Sequence, residues 1–215
     1  MPGAERSEAR AALLGQLRRA CHGGQVDVPA RTPAVDTGFP TLDAVLPGGG
    51  WPAGAVTELL TEEAGIGELS LVLPALRQLA RQRHIAFIAP PHLPYAPALW
   101  LAGLPLARVL LLHEIDALNA LWASEQLLRC PQVGAVLTWC VHPDERRVRR
   151  LQLAAESGGG LSLLYRPVSA ARQPSPAALR LHLQPQQPGL RIEILKARGG
   201  RAHALVVHPA AATAA

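Results

Sequence analysis

The sequence predicts an α/β domain built on a mostly parallel sheet, with a helix before it and an antiparallel strand pair after it. Three observations carry this expectation. Short apolar runs alternate with segments of helical periodicity about 15 residues long, the pattern of a sheet covered by crossover helices. The first apolar run feeds a glycine-containing turn and then a helix. The last two runs are joined by a short polar connection and read as a hairpin-like pair. A chain of 215 residues with 49% hydrophobic and 17% charged residues buries enough surface to fold as one domain and is not intrinsically disordered.

Glu5 to Ala20 opens the chain as an amphipathic helix, with Leu13, Leu14 and Leu17 on one stripe and Arg10, Arg18 and Arg19 outside it. His22, Gly23 and Gly24 end it, and a connector follows to Pro33, so residues 1–34 form a helix-and-linker unit. A helix this short packs on the domain or on another protein, because alone in water it is marginal. Ala55 to Leu60 is the first core strand, Thr61 to Gly67 the turn, and Glu68 to Arg83 a helix that Pro74 kinks or frays. Strands follow at Ile85 to Ala89 and Arg108 to Leu112, and a helix at Glu114 to Arg129. Val133 to Trp139 is the next strand. Pro143 is placed at the first position of a helix reaching Glu156, stopped by Gly158, Gly159 and Gly160. Leu161 to Tyr165 is a further strand, and Ala178 to Leu183 with Leu190 to Leu195 form the antiparallel pair on one sheet edge. The core is expected over 35–199, with a strand remnant and flexible tail over 200–215.

The charge balance is 21 basic against 16 acidic residues, +5, and Lys196 is the only lysine. Arginine-based positive charge permits a nucleic-acid partner without requiring one. Cys21, Cys130 and Cys140 form no CxxC pair and are odd in number, which argues against a zinc site or a disulfide framework. The first 20 residues have no apolar core of signal-peptide type, and the apolar stretch Trp100 to Leu112 is interrupted by Gly103, Pro105 and Arg108. The expectation is a cytoplasmic protein with reduced thiols and no membrane contact.

A strand, a glycine turn and a helix in that order make the layout of a phosphate-binding loop, whose backbone N–H groups and helix N-terminus cradle an anion. Nucleotide binding by such a loop also needs a lysine on the outer phosphates and a Ser or Thr on magnesium. Here Gly65 and Gly67 are followed by Glu68 at the lysine position and Leu69 at the hydroxyl position. A carboxylate about 4 Å from a phosphate is repelled by about 4 kcal/mol per charge pair at an effective dielectric of about 20. Glu62 and Glu63 add to that repulsion. The strand Val133 to Trp139 ends Leu137-Thr138-Trp139 with no magnesium-holding acid, and Pro90 and Pro91 stand where a catalytic base would follow its strand. Ser70, Ser124 and Ser157 lack a nucleophile-elbow context. The expectation is a degenerate phosphate loop with no cofactor, no metal and no enzymatic activity.

Thr37-Gly38-Phe39-Pro40-Thr41-Leu42-Asp43 with Gly48-Gly49-Gly50-Trp51-Pro52-Ala53-Gly54 is similar to the segment that leads into the core of the RecA superfamily, and Ile85-Ala86-Phe87-Ile88 resembles its second core strand. Gly65 to Leu76, Ala120 to Arg129, Gly134 to Leu137, Arg149 to Glu156 and Leu190 to Lys196 together resemble the ImuA (translesion DNA synthesis-associated, SulA-like) family within it. The resemblance covers about Val35 to Gly199. It implies a RecA-like three-layer core and a non-catalytic role in damage-induced mutagenic translesion synthesis. The implied partners are an ImuB-type protein and an error-prone C-family DNA polymerase, with RecA and DNA as further contacts. The second function it leaves open is that of a SulA-type inhibitor of the tubulin-like division protein. The segments corresponding to RecA's DNA-gripping loops, Cys140 to Glu145 and Pro167 to Ala177, are short, which argues against filament formation on DNA.

The residues singled out for DNA or partner contact are Arg146, Arg149 and Arg150, which share one helical face, with Arg147 and Arg129 near them, and the stripe Leu13, Leu14 and Leu17. An ordinary solvated face and a helix packed on its own domain are the competing readings. Trp51, Trp100, Trp122 and Trp139 read as core or interface residues rather than a base-stacking platform.

Overall fold

The computed structural model describes residue 15, residues 34–201 and residues 203–208. The predicted N-terminal helix, with Leu13, Leu14 and Leu17, therefore lies outside the described residues. Eight strands form one sheet in the order β10-β9-β8-β3-β7-β6-β4-β5. In chain order these are β3 (Val56–Thr61), β4 (His84–Ile88), β5 (Val109–Leu112), β6 (Val133–Trp139), β7 (Leu161–Pro167), β8 (Leu179–Pro185), β9 (Leu190–Ala197) and β10 (His203–Val207). The six strands from β8 to β5 are mutually parallel, while β9 and β10 extend the β8 edge antiparallel. A small antiparallel pair, β1 (Ala34–Val35) with β2 (Trp51–Pro52), stands apart.

Helices cover both faces because both faces are apolar. Along β4, Ile85 and Phe87 enter one core while Ala86 and Ile88 enter the other, the period-two alternation of a strand buried on both sides. The first core is closed by α1 (Pro40–Asp43), α2 (Glu68–Leu79) and α3 (Ala96–Leu101), through Leu42, Leu71, Val72, Leu76 and Leu99. The second is closed by α4 (Ala117–Leu128) and α5 (Glu145–Gly158), through Leu121, Leu127, Val148 and Leu151.

The segment Thr37 to Asp43 folds as a local brace. Asp43 accepts from the Thr37 N–H at 3.1 Å, Leu42 is fully buried, and Gly38 in the left-handed region (φ 82°) lies where a side chain would strike Pro74 of α2. Pro74 is carried inside α2 without ending it.

Four expectations are corrected. The helix from Glu68 stops at Leu79 rather than Arg83, because Arg81 and Gln82 bond three residues back, to Gln78 and Leu79, in a tight turn into β4. The helix placed from Glu114 begins at Ala117: Glu114 is left-handed (φ 55°), and Asp116 caps the N–H groups of Leu118 and Asn119. Asp144, not Pro143, sets the start of α5, accepting from the Arg147 N–H at 2.7 Å. The expectation of uniformly reduced thiols also changes, since Cys130 is disulfide-bonded while Cys140 is free and buried. The sequence reading missed α3, because Pro97 in its first turn disguised it; proline is tolerated there, where no intrahelical N–H bond is needed. No helix among the described residues is long and apolar enough to cross a membrane.

Candidate functional site

Open α/β sheets bind ligands outside the carboxyl ends of their parallel strands. At that end β3 runs into the turn 61–67 and α2. Gly65 (φ 89°) and Gly67 (φ 98°) are both left-handed, and Gly67 is the N-terminal cap of α2. The next residue, Glu68, is 7% exposed and turns its carboxylate back over the turn. Both its oxygens accept from the Gly65 N–H, at 3.0 and 3.2 Å. A negative charge in the first turn of a helix is also favoured by the helix dipole. Leu69 packs against the first core instead of facing the turn.

Beside this turn stands an aromatic column. Trp139 at the end of β6 stacks on Tyr165 of β7, with ring centroids 4.4 Å apart and planes 5° from parallel; Phe87 of β4 follows at 6.3 Å. Strand register puts Trp139 directly across from Tyr165. The Tyr165 hydroxyl is buried with no hydrogen-bond partner among the described residues. Burial pushes its phenol well above the usual tyrosine range, and the Glu68 carboxylate pushes it the same way. Next to the column, β4 is followed by left-handed Ala89 (φ 51°) and then by Pro90 and Pro91. The positions expected to lack phosphate, magnesium and water chemistry thus carry a self-bonded carboxylate, stacked rings and prolines.

The arginines expected to make outward contacts divide. Arg146 and Arg149 are exposed on α5 and, with Asp144 and Glu145, line an open surface pocket. Arg149 reaches Glu145 at 3.4 Å, and Arg147 reaches Asp144 at 3.3 Å. Arg150 bonds Glu125 of α4 at 2.6 Å, and Arg129 bonds the same carboxylate at 2.8 Å. Glu125 is buried, so Arg150 clamps α5 to α4 as well as facing solvent. Of the tryptophans, Trp51 is fully buried, Trp122 packs on the second core, Trp139 is stacked and Trp100 is exposed.

The sequence reading missed a buried charge centre. Glu58, in the middle of β3 and fully buried, accepts from Arg166 at 2.8 Å, Ser175 at 2.7 Å and Arg180 at 2.6 Å. Arg180 also donates to the Ala170, Ala171 and Gln173 carbonyls, fixing the segment after β7. Lys196 donates to the Ser175 carbonyl, and its ammonium pKa is lowered by burial and then by Arg180 and Arg198. The signal was available: an acid inside a strand buried on both faces demands a buried cation.

Residues 54–162 match the family described as Cell division inhibitor SulA. The chain belongs to this SulA family. Protein ImuA of Caulobacter vibrioides is 31% identical over 139 residues, 62% of this chain and 57% of that protein. Cell division inhibitor SulA of Yersinia enterocolitica is 30% identical over 135 residues, 60% of this chain and 79% of that protein. Cell division inhibitor SulA of Pectobacterium atrosepticum is 36% identical over 103 residues, 46% of this chain and 61% of that protein. The crystal structure of SulA from Pseudomonas aeruginosa is 32% identical and covers 54% of this chain and 99% of its own, with a TM-score of 0.44. This SulA-family chain therefore spans little more than half the length of the ImuA relative it matches.

Proposed function

We propose that this SulA-family protein is a non-catalytic, RecA-like docking protein of the damage response, acting as an ImuA-type accessory in mutagenic translesion synthesis. Its partners on this reading are an ImuB-type protein and an error-prone C-family polymerase, with RecA and DNA as further contacts. The observation that carries the non-catalytic part is the Glu68 carboxylate bonded to the Gly65 N–H. The donor that a phosphate would use is already occupied by an anion of the chain itself. The strand order, with β3 between β7 and β8 and the antiparallel pair beyond, supports the RecA-like core over 35–199.

The ImuA-type reading is preferred because the family match ends at Ser162 while the sheet continues through β8, β9 and β10. Those strands are built into the core: Arg180 of β8 closes the Glu58 centre of β3. The ImuA relative is longer than the SulA relative, of which 135 matched residues make up 79%. The SulA-type reading rests on the family description and on relatives of that name.

Purified protein tested separately against an ImuB-type protein and the tubulin-like division protein separates the two. Binding to the first with normal assembly of the second supports the translesion role. Inhibition of assembly with no binding to the first assigns the division role. Arg146→Glu with Arg149→Glu tests the α5 face as the contact surface, expected to weaken whichever interaction is found. Magnesium-dependent ATP turnover by the wild type would overturn the non-catalytic reading.

A further inference from the structure

Positive charge is concentrated toward one end of the chain. Residues 1–156 hold 14 basic and 15 acidic side chains, whereas residues 157–215 hold six arginines and Lys196 against one acid, Glu193. The whole net charge of +5 therefore arises after Glu156. Such asymmetry along a sequence points to a polyanionic partner. Two of these cations, Arg166 and Arg180, are buried on Glu58. Four of the others, Arg191, Lys196, Arg198 and Arg201, are exposed and belong to β9 and the turn that joins it to β10. None of the four forms an ion pair among the described residues, and Glu193 lies instead against His182 at 3.6 Å.

The fold gathers these charges on one surface. Leu190, Ile192 and Ile194 of β9 enter the first core, so Arg191 and Glu193 stand on the opposite face of the sheet. An irregularity in the β8–β9 pairing sets Lys196 across from Arg180 on that same face, where its ammonium donates to the Ser175 carbonyl at 2.7 Å. Burial, then Arg180 and Arg198, depress the Lys196 ammonium, so these cations crowd one another. Gly199, left-handed at φ 81°, turns the chain, and the pairing of His203 with Ile194 brings Arg201 back beside Lys196. The core under α4 and α5 takes in no residue of β8, β9 or β10, and this face is left open. From Arg191 to Lys196 the strand runs about 17 Å, a length over which duplex DNA presents about ten phosphate charges.

The side chains around the charges select the partner. A protein interface is held by apolar anchors at its centre, and a membrane surface by apolar side chains that insert. After Leu153, the only large apolar side chain exposed among the described residues is Leu195, at 36%. After Tyr165, which is buried, the chain has no Phe, Tyr or Trp on which an unpaired base could stack. Cations alone suffice for a duplex backbone, because that affinity comes from counterion release. The α5 arginines suit it less, since Asp144 and Glu145 share their surface.

We propose that the open face of β9 and its turn to β10 bind the phosphate backbone of duplex DNA without sequence preference, through Arg191, Lys196, Arg198 and Arg201. This rests on the damage-response reading above and gives its DNA contact a surface separate from α5.

Fluorescence anisotropy of the full chain with a labelled mixed-sequence duplex of about 30 base pairs provides the test. Four phosphate contacts give a log–log salt slope of about −3.6, so affinity should fall about 100-fold between about 50 and about 200 mM salt. Arg198→Gln with Arg201→Gln should make that slope shallower by about two and weaken binding at least about tenfold at the lower salt, with circular dichroism confirming the fold. Arg146→Gln with Arg149→Gln should leave the slope unchanged, and a single strand of the same length should bind no tighter than the duplex. Absence of duplex binding at the lower salt, a slope unmoved by the β9-turn variant, or an equal loss in the α5 variant would each overturn the proposal. Tighter binding of a single strand, of polyglutamate or of phosphatidylserine vesicles would overturn it as well. Failure of the duplex to bind while an ImuB-type protein still binds removes this surface alone and leaves the docking role standing.

Discussion

Replacing Glu68 by alanine removes the carboxylate that holds the 61–67 turn closed, and the structure sets the size of the effect. The lost contact is a hydrogen bond from the Gly65 N–H to a charged acceptor, shared between two oxygens at 3.0 and 3.2 Å. Hydrogen bonds to charged groups contribute about 1.5–3 kcal/mol, and a charge in the first helical turn about 0.3–1 kcal/mol more. Gly65 is exposed, so its N–H regains water in the variant and the lower part of the range applies. The expected cost is about 2 kcal/mol, a fall in Tm of about 4–8 °C for a chain of this length. Glu68→Gln keeps an acceptor oxygen without the charge and should lose about half as much. Thermal melts followed by circular dichroism measure both. The same melts with magnesium and ATP give the second arm, since a ligand at about 100 times its Kd adds about 2.7 kcal/mol. The wild type should show no such gain. A Glu68→Ala protein that melts with the wild type, or a wild type stabilised by nucleotide, would refute the assignment of this carboxylate as the turn's internal anion.

Glu58→Gln should destabilise the protein by about 3–5 kcal/mol in urea titrations, because two buried guanidinium groups lose their common counter-charge. Replacing Glu58, Arg166 and Arg180 together by apolar residues of similar volume should cost much less, and an equal loss would show that the segment after β7 depends on Arg180 for more than charge. Arg150→Ala should lower stability by about 1 kcal/mol or less, since its partner Glu125 is buried but Arg150 itself is largely exposed, whereas Arg146→Ala should leave the melt unchanged. The native pKa of Tyr165 is raised, so the unfolded chain releases this proton first as pH rises. The associated stability is complete below the unfolded value near 10 and is lost above it, and Tyr165→Phe should flatten that alkaline decline in unfolding titrations.

The parallel part of the fold was legible because each strand from β3 to β7 is a short apolar run and the long covering helices α2, α4 and α5 repeat at helical spacing. Val133 to Trp139 was read at its observed limits. What failed was local. Helix starts slipped where capping carboxylates at Asp116 and Asp144 outweighed the apolar pattern and the N1 preference of Pro143. At the site, the identity of Glu68 was enough to expect loss of phosphate binding, but repulsion was only half of its role. That the same side chain turns back onto Gly65 depends on two left-handed glycines, a geometry that composition does not disclose. The three-strand charge centre was missed because Glu58, Arg166 and Arg180 are far apart in sequence and meet only through the register of β3, β7 and β8.

The closed turn has a consequence for the opposite side of the sheet. In a protein whose turn fills and empties with nucleotide, any surface coupled to the turn changes population with occupancy, because ligand binding shifts a conformational equilibrium by its differential affinity. Here the Glu68 carboxylate, covalently part of α2, already accepts from the Gly65 N–H of the turn. The strands that run from this end of the sheet to its edge, β6, β4 and β5, are locked by the Trp139–Tyr165 stack and by the Leu112 carbonyl bond to Ala89. Arg146 and Arg149 of α5 are exposed with nothing bound at the turn. On the proposed docking role, a surface that does not change with nucleotide is controlled by how much protein is present, through mass action on its partners.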